Sequence, residues 1–425
     1  MLSENLEQIE VTHLPLEINK NSNYIIMQKN VNSYTHGMFK YPCKFIPEIP
    51  RWAIKKYGVK GGLVFDPFAG SGTTLLEAQI QNMDAYGTEI DEIAKKIIYA
   101  KTQNYDINDL KAIENDFKFI MDSYYSENKI FMPDIKNLNH WFSIENSNAL
   151  GKLKIVIDML LNTKSKLFFE IVFLSIIKDV SFADNASPKP YVSNKIKKIP
   201  KDVIKSFERT YLKYLKYVKD YVEEEIENKV ELVAGDALFT SKEFKADIAI
   251  TSPPYINAFD YPRTLRLENL WTGVHTEESL LNSKNNYVGT ERFNINIERK
   301  KSLDILEKSI VLKSIFNQLL DIDEKRAYVV KKFFEDMETN LTNVNSHLKV
   351  NGHYIIVIGN SLIRGIDVES WKIINEIAIN NGFQYVEHFS YKIQNPYIRI
   401  PRNGRGGHIK LDYVLVLKKG VEKNG

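Results

Sequence analysis

The chain has one cysteine, Cys43, in 425 residues, which excludes an internal disulfide and a cysteine-built zinc site. A single thiol in so long a chain fits a reducing compartment. Long apolar runs are also missing. The most apolar helical stretch, residues 167–177, is too short and too closely bounded by charge to span a bilayer, so no membrane association is expected. The opening residues, Met1-Leu2-Ser3-Glu4-Asn5-Leu6-Glu7, have neither the basic start nor the apolar centre of a signal peptide. The expected location is the cytoplasm. Net charge is only +3, from 57 basic and 54 acidic residues, so the total does not announce a polyanionic partner and local patches must be read instead. The eight histidines are scattered, and no metal site is expected.

What is present is ordinary for a protein with a sizeable core. Hydrophobic residues make up 44%, and the length allows two or three domains. Residues 1–34 are polar and irregular. A helix is predicted over 48–57, stopped by Gly58, then a strand at 63–66, a helix at 73–81, a strand at 85–90 and a helix at 92–102. That βαβα run opens an α/β sheet. Alternation then stops. Helical periodicity dominates 105–228, with segments near 109–124, 148–162, 165–178 and 201–228, and a polar loop at 184–200. So long a break exceeds a sheet connection and reads as an inserted, mostly helical domain. Strands resume at 231–236 and 247–251, followed by a helix over 258–271, a polar loop at 274–300 and helices at 303–319 and 323–346. A strand at 354–359, a helix at 368–380 and strands at 383–391 and 413–418 complete seven strands. The last two, joined by a loop without a crossover helix, are expected to be antiparallel. The expected divisions are 1–104, 105–230 and 231–425.

Two loops at strand ends carry the chemistry. In Asp66-Pro67-Phe68-Ala69-Gly70-Ser71-Gly72-Thr73-Thr74, the glycines permit a tight turn and close approach of backbone amides to a ligand. Thr73 and Thr74 open a helix whose free amides face the same crevice. No Gly-Lys-Thr follows, so this is not a phosphate loop; it suits an adenosyl group. Glu89 ends the second strand, where a carboxylate accepts ribose hydroxyls, while Asp91 is placed to cap the next helix. Gly235-Asp236-Ala237 ends the third strand, where Asp236 can accept from an adenine amino group. The second loop, Ser252-Pro253-Pro254-Tyr255, suits a flat ring bearing an amine. Ser252 and the Pro253 carbonyl accept the amino hydrogens, the two prolines stiffen the turn, and Tyr255 stacks on the ring.

Together these segments resemble the S-adenosylmethionine-dependent DNA amino-methyltransferases. Residues 66–73 are similar to that family's cofactor loop, and Thr251-Ser252-Pro253-Pro254-Tyr255 to its catalytic loop; the likeness covers roughly 35–102 and 231–420. It implies a seven-stranded Rossmann-like class I methyltransferase sheet and S-adenosylmethionine as cofactor, held by the 66–74 loop including Asp66, Pro67, Phe68, Gly70 and Gly72. Thr35-His36 and Lys44-Phe45-Ile46-Pro47 resemble the family's element over the methionine part of the cofactor. A Ser-Pro-Pro-Tyr form implies methylation of a flipped cytosine at N4 in double-stranded DNA; adenine N6 is the alternative, and an RNA base a further one. Placement of an extra domain between the two loops resembles the arrangement called alpha, although here it enters after the second strand. A role in restriction-modification, with a separate cognate endonuclease as partner, is a further implication.

Positive charge is clustered where DNA contact is expected. Lys178, Lys189, Lys195, Lys197, Lys198 and Lys201 surround the polar loop of the insertion, with Asn194 inside it and Arg209 beyond. Lysines there would hold phosphates while Asn194 and Arg209 read base edges. Arg263 and Arg266, three apart on a helix, either clamp a phosphate or form internal pairs with Asp260 or Glu268. Arg402 and Arg405, in the glycine-rich loop, are also expected at phosphates.

Overall fold

Nine strands form the central sheet in the computed structural model, which describes residues 7–19, 22–27, 32–195, 197–256, 260–392 and 411–421. In chain order they are β1 (Glu7–Val11), β2 (Ser22–Ile26), β3 (Leu63–Asp66), β4 (Asp84–Gly87), β5 (Val230–Leu232), β6 (Ala246–Thr251) and β7 (Leu348–Gly359). A small separate hairpin, β8 (Ser361–Ile363) and β9 (Ile366–Val368), precedes the last two, β10 (Phe383–Lys392) and β11 (Leu411–Lys419). The order across the sheet is β1-β2-β10-β11-β7-β6-β3-β4-β5. β11 runs antiparallel to β10, as expected for strands joined without a crossover helix, and also to β7. The remaining pairs are parallel, and the central strands β6 and the core of β7 are buried, which is why they read as unbroken apolar runs.

The seven expected strands are joined by two more, β1 and β2, in the stretch read as irregular. β1 is an outer strand with exposed glutamates alternating with half-buried Ile9 and Val11, so its composition reads as polar. β2 attaches at the Ser390–Tyr391 end of β10 and buries Tyr24 edge-on to Phe389, with ring centroids 5.6 Å apart. β4 and β5 end earlier than predicted, at Gly87 and Leu232. Beyond them, Glu89 and Asp236 accept backbone amides with their side chains and turn the chain out of the sheet. The helix expected over 258–271 is two short helices, Tyr261–Thr264 and Arg266–Trp271, and the 274–300 loop contains helices Glu277–Ser283 and Ile295–Glu298.

The insertion is helical. Its long helices are Ile107–Ser126, Ile144–Asp158, Thr163–Ile176 and Val203–Val222. Each begins at a side chain that caps the free amides: Asp106, Ser143, Asn162 and Asp202. Their inner faces meet in aromatic contacts, the closest being Phe117 on Tyr211 with centroids 3.8 Å apart and planes 5° from parallel. This core does not stop at the insertion. Phe168, Phe173 and Phe207 belong to one buried cluster with Met38, Ile93 and Ile97 of the sheet domain and with Leu267 and Trp271 after the second loop. Each such side chain contributes roughly 1.5–3 kcal/mol by burial, so the insertion and the sheet are held as one body.

Candidate active site

β3 and β6 are adjacent in the sheet, Val64 opposite Ile248 and Phe65 opposite Ala249. The chain leaves β3 toward β4 on one side and later returns through β6 on the other. The carboxyl ends of β3 and β6 therefore flank the topological switch point, where open α/β sheets form their binding crevice. The two loops singled out in the sequence start there, side by side.

Hydrogen bonds at Thr251 join them, its Oγ1 accepting the Phe68 amide at 3.2 Å. Thr251 Oγ1, the last residue of β6, donates to Asp66 Oδ1 at 2.6 Å, and the Phe68 amide donates to the same carboxylate oxygen at 3.1 Å. Asp66 is fully buried and does not line the cleft, a correction to its expected direct cofactor contact. Burial pushes its carboxyl up to about 6, against the hydrogen bonds that favour the ionised form. Among the described residues its Oδ2 has no partner, and neither has the buried Ser71 Oγ. The turn itself depends on its glycines. Gly70 and Gly72 have φ of +52° and +76°, and a Cβ on Gly72 would lie 3.0 Å from Ile98 Cγ1.

The cleft above this loop encloses about 830 Å³, open mouth included. Of the expected cofactor residues, Lys44, Pro67, Phe68, Gly70, Thr73, Glu89, Asp236 and Ala237 line it, together with Ser252 and Pro254 of the second loop. Glu89 accepts the amides of Gly70, Ile90 and Asp91, each at 2.8 Å. Burial, with Asp91 nearby, still pushes its carboxyl up to about 8. Asp91 caps the helix Glu92–Thr102, as expected. Asp236 Oδ1 accepts the Leu238 and Phe239 amides, and the Ala237 carbonyl is held by Asn340 and Asn343.

Thr35, His36, Pro47, Gly72 and Thr74 lie off the cleft wall. They act one layer back. Thr35 Oγ1 donates to the Lys101 carbonyl at 2.7 Å, and Thr74 Oγ1 to that of Ile250 at 3.4 Å. His36 Nε2 sits 2.9 Å from Glu77 Oε1, which Arg51 also engages at 2.6 Å. Burial opposes ionisation of Glu77, but His36 and Arg51 outweigh it and hold the carboxyl below its ordinary range. Lys44 Nζ donates to the His36 carbonyl at 3.0 Å, so this layer places an ammonium on the cleft wall. Pro47 precedes the helix Glu48–Tyr57 and gives its carbonyl to the Arg51 amide.

Several wall residues escaped the sequence reading. Tyr41, Tyr261 and Tyr287 form a stacked column, with centroids 5.8 and 6.2 Å apart and planes within 19° and 15°. Tyr287 donates to Asp91 Oδ2 at 3.0 Å, and Asn286 and Val288 join the wall beside it. These residues come from distant segments that no local pattern connects. Lys101 was likewise missed: fully buried under the loop, its Nζ donates to the Ser71 carbonyl at 2.8 Å, and burial draws its pKa well below the ordinary value. Tyr255 is absent from this wall; its hydroxyl donates to Asp412 Oδ1 at 2.7 Å.

The basic residues divide. Lys198 Nζ donates to the carbonyls of Lys178 and Ala183 and to Asn185 Oδ1, so it ties the insertion's loop together, a correction to its expected phosphate role. Arg266 is corrected too. It forms a two-pronged pair with Glu277 rather than with Asp260 or Glu268, and lies over the Trp141 ring at 5.2 Å. Arg209 is mostly exposed, 3.9 Å from Asp179. Lys189, Asn194, Lys195, Lys197 and Arg263 are exposed. Arg402 and Arg405 lie outside the described residues. Among the described residues, no helix is long and apolar enough to cross a membrane.

The cleft suits an adenosyl cofactor with an amino-acid tail. It offers Glu89 and Asp236 as acceptors, Lys44 as a cation, apolar surfaces from Phe68, Ile90 and Leu238, and the unpartnered Ser71 hydroxyl at the turn. Residues 8–102 match the family described as DNA methylase. The chain is 26% identical to the Type II methyltransferase M.MvaI of Kocuria varians over 98% of both chains. It is 22% identical to the Type II methyltransferase M.AvaI of Nostoc sp. over 84% of this chain and 81% of that one. It is 25% identical to the Type II methyltransferase M.BsoBI of Geobacillus stearothermophilus over 60% of this chain and 56% of that one.

Strand order and cleft define a Rossmann-like class I methyltransferase with an inserted helical region. Within that class, the chain is similar to DNA methylases over residues 8–102 and to a Type II methyltransferase over nearly its whole length.

Proposed function

We propose that the protein methylates the exocyclic N4 amine of a cytosine flipped out of duplex DNA. The observation that carries this is the placement of Ser252-Pro253-Pro254 directly after β6, tied by Thr251 to the loop beneath the cleft, with Ser252 and Pro254 on the cleft wall. S-adenosylmethionine supplies an electrophilic methyl group when bound. Lys44 would hold its carboxylate, Glu89 its ribose and Asp236 its adenine amine.

The rest falls to this chain's own groups. An exocyclic base nitrogen is a poor nucleophile because its lone pair is delocalised into the ring. The Ser252 hydroxyl and the Pro253 carbonyl accept its two hydrogens, which draws electron density back to nitrogen and fixes the line of attack. Tyr255 covers the ring and keeps water away. The amine loses its proton after methyl transfer, so no strong base is needed. The serine at 252, in place of an acid or amide, favours cytosine over adenine. The exposed Lys189, Lys195 and Lys197, with Asn194, support a further part of the proposal: the 105–230 region contacts duplex DNA and sets sequence preference.

Mass spectrometry of nucleosides from unmethylated plasmid DNA, incubated with enzyme and cofactor, tests the proposal. N4-methylcytosine is expected. N6-methyladenine alone would transfer the activity to adenine, and turnover confined to folded RNA would overturn the DNA assignment.

A further inference from the structure

We infer that Asp412 is a positioning residue, holding the Tyr255 ring in the plane it needs to cover the target base. This rests on the reading of Tyr255 given above. Asp412 stands on β11 opposite Gly359 of β7 and opposite Tyr391 of β10. β7 lies between β11 and β6, so the contact reaches from the second loop across one strand. Tyr255 hydroxyl donates to Oδ1 at 2.7 Å and Tyr391 hydroxyl to Oδ2 at 3.0 Å. Asp412 is 7% exposed, and among the described residues no lysine or arginine pairs with it. Both oxygens are therefore occupied by phenols.

That arrangement does something stacking does not require. Ring coverage needs only a flat face, which phenylalanine provides equally well. The two prolines stiffen the backbone before residue 255 but leave its side-chain torsions free. A hydroxyl bonded to a buried carboxylate removes that freedom, because charge-assisted hydrogen bonds are short and strong. Tyr391, gripping the other oxygen, keeps the carboxylate from swinging. Burial pushes the Asp412 carboxyl up to about 6. The acceptor is thus sheltered from water that would compete for the tyrosine hydroxyl.

The test compares Y255F, Y255A, D412N, D412A and the Y255F/D412A double variant in the full chain, using unmethylated plasmid DNA and methyl-labelled S-adenosylmethionine. Y255F and D412A should each lower kcat by roughly tenfold, while the calorimetric cofactor Kd and the KM for DNA stay within about twofold. The double variant should be no slower than the slower single variant, since both remove the same bond. D412N, whose amide oxygen still accepts one phenol, should recover most of the rate. Wild-type kcat in Y255F, or losses that multiply in the double variant, would overturn the inference. So would a D412A defect that appears only as lower Tm and weaker cofactor binding, which marks a plain anchor of β11. If D412A fails to fold, Y255F decides alone, because it leaves the Asp412–Tyr391 bond intact. Wild-type turnover in Y255A would instead remove the reading of Tyr255 on which the inference rests.

Discussion

The cleft at the switch point and the basic loop of the insertion were both read from the sequence as clusters of polar residues, yet the fold treats them oppositely. Around the cleft, hydrogen-bonding capacity is left over. Among the described residues, Ser71 Oγ on the wall and Asp66 Oδ2 beneath it are buried without partners. In the insertion's loop much of it is taken up. Lys178 donates to the Ser187 carbonyl, Lys198 to three oxygens of the same loop, and Lys201 to Asp179. Burial pushes the Lys198 ammonium down to about 8, a property of a structural strut rather than of a phosphate hook. Charge density in a sequence therefore locates loops that hold themselves together as readily as loops that hold a ligand. Unused capacity in the folded chain separates the two.

The largest effect expected from this contrast is at Glu89. Glu89→Ala should weaken S-adenosylmethionine binding by about a hundredfold in calorimetry, because it removes the ribose acceptor and strands three backbone amides. An unchanged Kd would place the cofactor elsewhere. The acidity of the same group gives the next effect. Its folded-state pKa of about 8 is raised above the ordinary 4.5. Between those values the folded chain holds the proton more tightly than the unfolded chain, so Glu89 makes stability decline as pH rises through this window. Ribose hydroxyls need the ionised form as acceptor. Cofactor affinity should therefore weaken below about pH 8, by up to about tenfold per unit, and Glu89→Gln should abolish that dependence.

Two lysine variants sharpen the other side. Lys198→Ala should lower stability by about 1–3 kcal/mol, read as a drop in Tm, with little change in the salt dependence of DNA binding. Lys195→Ala with Lys197→Ala should do the reverse, leaving Tm alone and reducing the slope of log K against log salt by up to about 2. If all three behave alike, the division drawn here fails. The smallest effect concerns the arginines. Arg263→Ala should weaken duplex binding a few-fold at low salt, measured by fluorescence anisotropy, whereas Arg266→Ala should act through its Glu277 pair on stability.

Legibility followed the range of the physics involved. Strands buried on both faces announce themselves: β6 and β11 lie within two residues of their expected bounds, and β7 matches at its buried end, while its more exposed start, 348–353, was not read as strand. The helix Glu48–Tyr57 was placed to the residue because Gly58 ends it. β1 was missed because one face of an edge strand is solvated and its glutamates mask the alternation. In the site, residue types were readable where strand ends demand them, as at Glu89 and Asp236. Direction was not readable. Nothing in the 66–74 loop says that the Asp66 carboxyl points inward to Thr251. Tyr287 meets Asp91 across 196 residues of chain, a contact only the finished fold creates.

The shared core has a practical side. Because Phe168, Phe173 and Phe207 share one buried cluster with Ile93, Ile97 and Trp271, the segment 105–230 has no seam at which it can be lifted out. A chimaera that imported a relative's insertion would import a mismatched interior with it, opening cavities beneath the helix Glu92–Thr102 that flanks the cleft. Engineers seeking a new target sequence have a gentler route: substituting the exposed Lys189, Asn194, Lys195 and Lys197, which lie away from the joint.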